Sequence, residues 1–158
     1  MIRAIFLLLL SANAYSQEAP TFDQYTSGKT FNGLLKSIDF SSHKNASTFK
    51  TRLNNLIGQK PNFSSTYIIT LWGCGSSCQQ FALVNAKNGD VFIPNITASY
   101  GICFKLKSNL LIVNPLTQDL IDGLDDKTPV WLKTKYFKWD GEVLNSIHET
   151  QKPIDVEC

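Results

Sequence analysis

The chain is 158 residues long, with 15 basic and 13 acidic side chains and 43% hydrophobic residues. That is enough for one domain with a core of its own. The near balance of charge offers no electrostatic footprint for nucleic acid or for an anionic membrane, so neither is expected as a partner.

Residues 1–16 have the order of an export signal. Arg3 supplies a positive start, Ile5 to Leu10 form a short apolar run, and small residues follow. The run is too short to cross a bilayer as a helix. Cleavage fits after Ala14 or after Ser16; the second site is preferred and leaves Gln17 as the mature N-terminus. No cysteine at the junction offers a lipid attachment point, and no later stretch is apolar enough to span a membrane, so no membrane insertion is expected. Loss of Arg3 leaves a single basic residue in excess. The predicted organisation is a signal peptide over 1–16 and one β-rich domain over 17–158, periplasmic or secreted.

Residues 18–44 are polar and weakly patterned, which predicts an extended arm with room for one early strand. Ala46, Phe49, Leu53, Leu56 and Ile57 then recur at helical spacing. Asn45 is placed to cap the start, Gly58 stands at the end, and Pro61 blocks continuation, so a helix of about three turns is expected. From Phe63 onward the signals are those of strands. Thr66–Trp72, Gln80–Ala86 and Val91–Ile93 are apolar and rich in β-branched or aromatic residues. Asn88-Gly89 between the last two is a strong hairpin signal, because both turn positions favour positive φ. Ser108-Asn109 predicts a second hairpin between Ile102–Lys107 and Leu110–Asn114. Trp139-Asp140-Gly141 predicts a third, between Val130–Lys138 and Glu142–Ile147. Residues 115–129 read as one long loop. The fold class expected is α+β, mostly β: an antiparallel β-meander of about six to seven strands with one N-terminal helix packed on the sheet.

Export changes how the four cysteines read, because in an oxidising compartment an even number suggests disulfides before metal sites. The most unusual stretch is Trp72-Gly73-Cys74-Gly75-Ser76-Ser77-Cys78-Gln79. As a redox pair it differs from the Trp-Cys-x-x-Cys of thioredoxins: three residues separate its cysteines, and a strand rather than a helix follows them. The plainer reading is a small disulfide loop at a strand connection. Cys103 lies in a predicted strand and Cys158 near the end of the chain; if they pair, the bond ties down the tail. Four cysteines allow three connectivities, and crossed pairings stay open at this point. His43 and His148 lie at no ligand spacing from a cysteine, so neither metal nor cofactor is expected. Asp119, Asp122, Asp125 and Asp126 crowd the long loop, where a calcium site competes with a solvated acidic loop. Ser76 and Ser77 form no nucleophile elbow, and nothing in the sequence sets His148 beside them. Asn45, Asn62 and Asn95 head Asn-x-Ser/Thr sequons, which matter only in a eukaryotic secretory host. Trp131, Tyr136, Phe137 and Trp139 cluster on the last hairpin; one parity set belongs to the core, and Trp131, Tyr136 and Trp139 supply a candidate recognition surface.

Several segments form an ordered series: Asn62 to Tyr67, Leu71 to Gln79, Asn88 to Val91 with Pro94, Tyr100-Gly101, Ser108 with Leu110 to Asn114, and Tyr136 to Gly141. The series resembles a family of small exported bacterial proteins built around a Trp-Gly-Cys-Gly-Thr/Ser-x-Cys-Gln motif. The resemblance implies bacterial origin, export and a single domain, and it transfers no activity. Ser65 stands where that pattern has glycine, and Cys103 and Cys158 are additions to it. The resemblance thus implies that Cys74–Cys78 is the original bond and Cys103–Cys158 a second, independent one. With no acid–base pair, metal set or phosphate loop, the function expected is a non-enzymatic binding or inhibitor module recognising an exported protein or envelope component. The alternative is a thiol-redox or other enzyme centred on Cys74 and Cys78.

Overall fold

The computed structural model describes residues 18–124 and 128–158. The export segment, with Arg3 and the cleavage point after Ser16, lies outside the described residues, as do Asp125 and Asp126 of the acidic loop. No helix among the described residues is long and apolar enough to cross a membrane.

Seven strands follow one another along the described chain: β1 (Tyr67–Gly75), β2 (Cys78–Asn85), β3 (Val91–Phe92), β4 (Ile102–Phe104), β5 (Leu110–Val113), β6 (Thr134–Trp139) and β7 (Leu144–Thr150). All neighbours pair antiparallel, so the mostly-β α+β class is as expected. The meander nevertheless breaks after β3 into two sheets, β1-β2-β3 and β4-β5-β6-β7. Pro94, which has no N–H to extend a ladder, follows β3. The chain then bridges back from Ala98 to Gln79 before β4 begins.

Strand alternation sends successive side chains to opposite faces. Ile69 of β1 and Phe81 and Leu83 of β2 meet Leu111 and Val113 of β5 and Phe137 and Trp139 of β6, forming the core between the sheets. On the far face of the first sheet, Ile68, Trp72, Ala82 and Val84 are covered by Ala46, Leu53 and Leu56 of the helical segment and by Leu35 of the arm. On the far face of the second sheet, Cys103, Leu110, Ile112 and Tyr136 pack with Ala19, Phe22 and Tyr25 at the start of the arm and with Ile154 and Val156 of the tail. Both sheets are therefore covered on both faces, which explains the uninterrupted burial of Phe81–Val84 and Leu110–Val113.

The helical segment is shorter and tighter than its periodicity predicts. A 3-10 turn (Ala46–Phe49) runs into the five-residue α1 (Lys50–Asn54), and turns continue to Gly58. Asn45 makes no side-chain cap. Leu56 N–H donates to Leu53 O and Ile57 N–H to Asn54 O, three residues back. That tighter winding rotates the apolar stripe, so Leu53 and Leu56 are buried while Ile57 faces solvent. The long loop also differs from expectation, because it holds α2 (Gln118–Asp122) with Thr117 Oγ1 accepting from Leu120 N–H.

The arm forms isolated bridges, Thr26 with Ser108 and Asp39 with Asp90, rather than a strand. Asp39 N–H donates to Gly89 O at 3.0 Å. Gly89 is doubly required there: its φ is +84°, and a Cβ would stand 2.3 Å from Ser37 O. Ser65, at φ +59°, also occupies the left-handed region that favours glycine. Its buried hydroxyl donates to Gly28 O at 2.8 Å and contacts Ser27 Oγ at 2.6 Å, so the side chain ties the arm to the start of β1.

At the β6–β7 turn, Asp140 accepts from the Glu142 and Val143 N–H groups, each at 2.9 Å, and from Asn145 Nδ2 at 2.7 Å. The Val143 and Glu142 N–H bonds, then Asn145, hold this carboxyl below its ordinary value of 3.8. A carboxylate depressed by folding stabilises above its unfolded pKa, and that contribution is lost as pH falls through the folded value. Asp140→Asn is therefore expected to lower the Tm at neutral pH. The two melting curves should converge as pH falls below 3.8, measured by a Tm-versus-pH series. Parallel curves across that range would contradict the assignment.

Candidate functional site

The structure separates the three aromatic residues proposed as one surface. Tyr136 is 2% exposed in the outer core of the second sheet, and Trp139 is 3% exposed between the sheets. Only Trp131, 67% exposed, presents its ring to solvent. Tyr136 and Trp139 are thus corrected from surface to core. Parity alone assigns one face of β6 to water, but the terminal segments cover that face as well. Trp131 also precedes β6, so it shares no pleat with the other two. Burial pushes the Tyr136 hydroxyl above its ordinary pKa, as desolvation disfavours the phenolate.

Trp131 sits beside Val130, which is 81% exposed. The pair forms the two central positions of a turn closed by Leu132 N–H donating to Pro129 O at 2.9 Å. Leu132 is buried and anchors the turn to the core. From the other side, Gln151 Nε2, just past β7, lies 3.1, 3.0 and 3.2 Å from the carbonyl oxygens of Pro129, Val130 and Leu132. Three main-chain oxygens of the turn thus converge on one side-chain amide, while the Val130 and Trp131 side chains are exposed. Lys133 pairs with Glu149 beside the turn, and the hydrogen bond from Lys133 holds the Glu149 carboxyl below its ordinary value. The result is an exposed Val-Trp pair carried on a hydrogen-bonded turn. The sequence reading missed Val130 and Gln151. Pro129 just before the pair was the available sign of a turn; nothing local marks Gln151, whose role depends on β7 lying alongside.

The cysteines are bonded Cys74–Cys78 and Cys103–Cys158, with Cα separations of 5.1 and 5.0 Å, inside the range a disulfide bridges. Cys74–Cys78 closes the tip of the β1–β2 hairpin, where Ser76 and Ser77 are the turn residues. Gly73 pairs with Gln79 and Gly75 with Cys78, so Cys74 is the extra residue of a bulge. Gly75 adopts φ +140°, which side chains resist. Cys74 is exposed and Cys78 partly so. Cys103 is buried, and its bond holds the tail over the second sheet.

The remaining candidates do not assemble. His43 Nδ1 accepts from Asn45 N–H, while His148 stacks edge-on against Tyr136, 5.3 Å between ring centres. Ser76 and Ser77 belong to the other sheet's hairpin. Asp122 accepts from Gln118 Nε2 at 2.7 Å. No group of three or more His, Cys, Asp or Glu that could hold a metal ion occurs among the described residues. Asn62 is drawn into the fold: its side chain accepts from Ile69 N–H and donates to Ile69 O. A cleft of about 550 Å³ opens on the outer side of the second sheet, floored by Ile112 and Tyr136, but its walls are the chain's own terminal segments. No family model, curated protein or solved structure matches the chain.

Proposed function

We propose that the mature chain is an exported, non-enzymatic binding or inhibitor-type module that recognises a protein or envelope component through the Val130–Trp131 turn. One observation carries the reading. Val130 and Trp131 are the most exposed large apolar side chains among the described residues, they are adjacent, and Gln151 clamps the turn that carries them. Trp is among the residue types enriched at binding hot spots. The two disulfides and the export-type leader support an oxidising destination. In this reading Trp131→Ala weakens binding about 30-fold, the equivalent of ~2 kcal/mol at a hot spot. The check is retention of periplasmic and envelope fractions on the immobilised protein, with a photo-crosslinker at Val130 to identify what is held. Unchanged retention by Trp131→Ala sinks the assignment of this turn.

The second reading, a thiol-redox enzyme centred on Cys74 and Cys78, is favoured by the exposure of that bond at a hairpin tip. Its weakness is the setting. Both cysteines lie on strands rather than at a helix N-terminus, and no charged residue occurs in the chain between Lys60 and Lys87.

A further inference from the structure

We infer that Cys74–Cys78 is an acceptor site for thiol–disulfide exchange, opened by an exported protein dithiol while Cys103–Cys158 stays closed. The inference is independent of the recognition turn. It rests on what surrounds each bond and on what each bond leaves behind when it breaks.

Cys74 is exposed in an exposed stretch from Gly73 to Ser77, and both of its chain neighbours are glycines. Neither neighbour carries a side chain to shield Cys74 Sγ from an approaching thiolate. Displacement leaves Cys78 as the departing thiolate, at a partly exposed position where water can solvate it. For the other bond the exposed end is Cys158, and attack there must leave the charge on Cys103, which is 1% exposed among Leu110, Ile112 and Tyr136. An unpaired thiolate in that apolar setting is a poor leaving group.

The exchange balances as follows. One thiolate of the dithiol attacks Cys74 Sγ; a mixed disulfide forms as the Cys74–Cys78 bond breaks, and Cys78 leaves as a thiolate. The second thiolate of the dithiol attacks its own bridged sulfur, and Cys74 leaves. The dithiol ends as a disulfide. Its two electrons reside on Cys74 and Cys78, which take up, through solvent, the two protons the dithiol gave up. Only the hairpin tip is freed. The ladder from Tyr67–Asn85 to Trp72–Gln80 lies beyond the bond, so the first sheet stays paired.

The test is graded reduction of the folded full chain with dithiothreitol, followed by alkylation and peptide mapping. Cys74 and Cys78 should be alkylated at ~10-fold lower reductant than Cys103 and Cys158, with near-UV circular dichroism unchanged. A thioredoxin-type dithiol protein whose resolving cysteine is replaced by serine should trap a mixed disulfide on the Cys74 peptide. Reduction of both pairs together, Cys103–Cys158 opening first, or trapping on Cys158 overturns the inference. Catalytic turnover of insulin disulfides by the chain would also overturn it, since the pair would then be a catalyst and not an acceptor. Trp131→Ala should leave the order of reduction unchanged, which keeps this outcome separate from the recognition reading.

Discussion

Replacing Cys103 and Cys158 together by alanine is expected to cost about 4 kcal/mol of stability, against about 2 kcal/mol for Cys74 and Cys78 together. The difference begins in the unfolded chain. The first bond spans a sequence separation of 55 residues and the second a separation of 4, so the first removes far more freedom from the unfolded ensemble. The folded state acts in the same direction. Beyond Pro153 the tail is held by Ile154 and Val156 against the outer core and by Ile154 N–H donating to Leu116 O. Without the bond, that strip can lift and expose Tyr136 and Ile112, which are buried in the intact fold. The hairpin tip has no such burden, because its surroundings are already exposed. Denaturant unfolding of the two double variants is the measurement. A larger loss from Cys74 and Cys78 would show that the bulge carries stability the chain-entropy argument omits.

Trp139→Ala should cost about 3–5 kcal/mol, while Trp131→Ala should change stability by less than about 0.5 kcal/mol. Trp139 is buried between the sheets, its ring 5.2 Å from that of Tyr67 and 5.0 Å from that of Phe92. Among the described residues its Nε1 finds no hydrogen-bond partner of good geometry, so the loss is mainly one of packing and burial, and Trp139→Phe should recover much of it. Trp131 contributes almost nothing to the core, so its removal is felt only by a partner. Chemical denaturation gives the free energies. Fluorescence gives an independent readout, because Trp72 and Trp139 are buried and Trp131 is not. The acrylamide-accessible emission should vanish with Trp131→Ala and persist with Trp139→Phe. A stability loss of several kcal/mol from Trp131→Ala would place that ring in the core after all.

What the sequence alone determined was local. The β-branched and aromatic runs located all seven strands to within a few residues, except that Val130–Lys133 proved to be a turn leading into β6. Asn88-Gly89 and Asp140-Gly141 located their turns, although only the glycine of each pair adopts positive φ and not both positions as expected. The short spacing of Cys74 and Cys78 suited a hairpin tip for the same local reason.

Tertiary structure decided which faces are dry. A strand's alternation says that its two faces differ in membership, not that either meets water. Here the first sheet covers one face of β6 and the terminal segments the other, so Phe137 and Trp139 on one side and Tyr136 on the other are all buried, and the candidate surface shrinks to Trp131. The division into two sheets was equally illegible, since antiparallel neighbours in one meander and in two stacked halves carry the same pattern of turns and apolar residues. The clamp from Gln151 onto the Val130–Trp131 turn was the least visible feature of all. It joins residues about twenty positions apart through main-chain oxygens, and carbonyls carry no mark in the sequence.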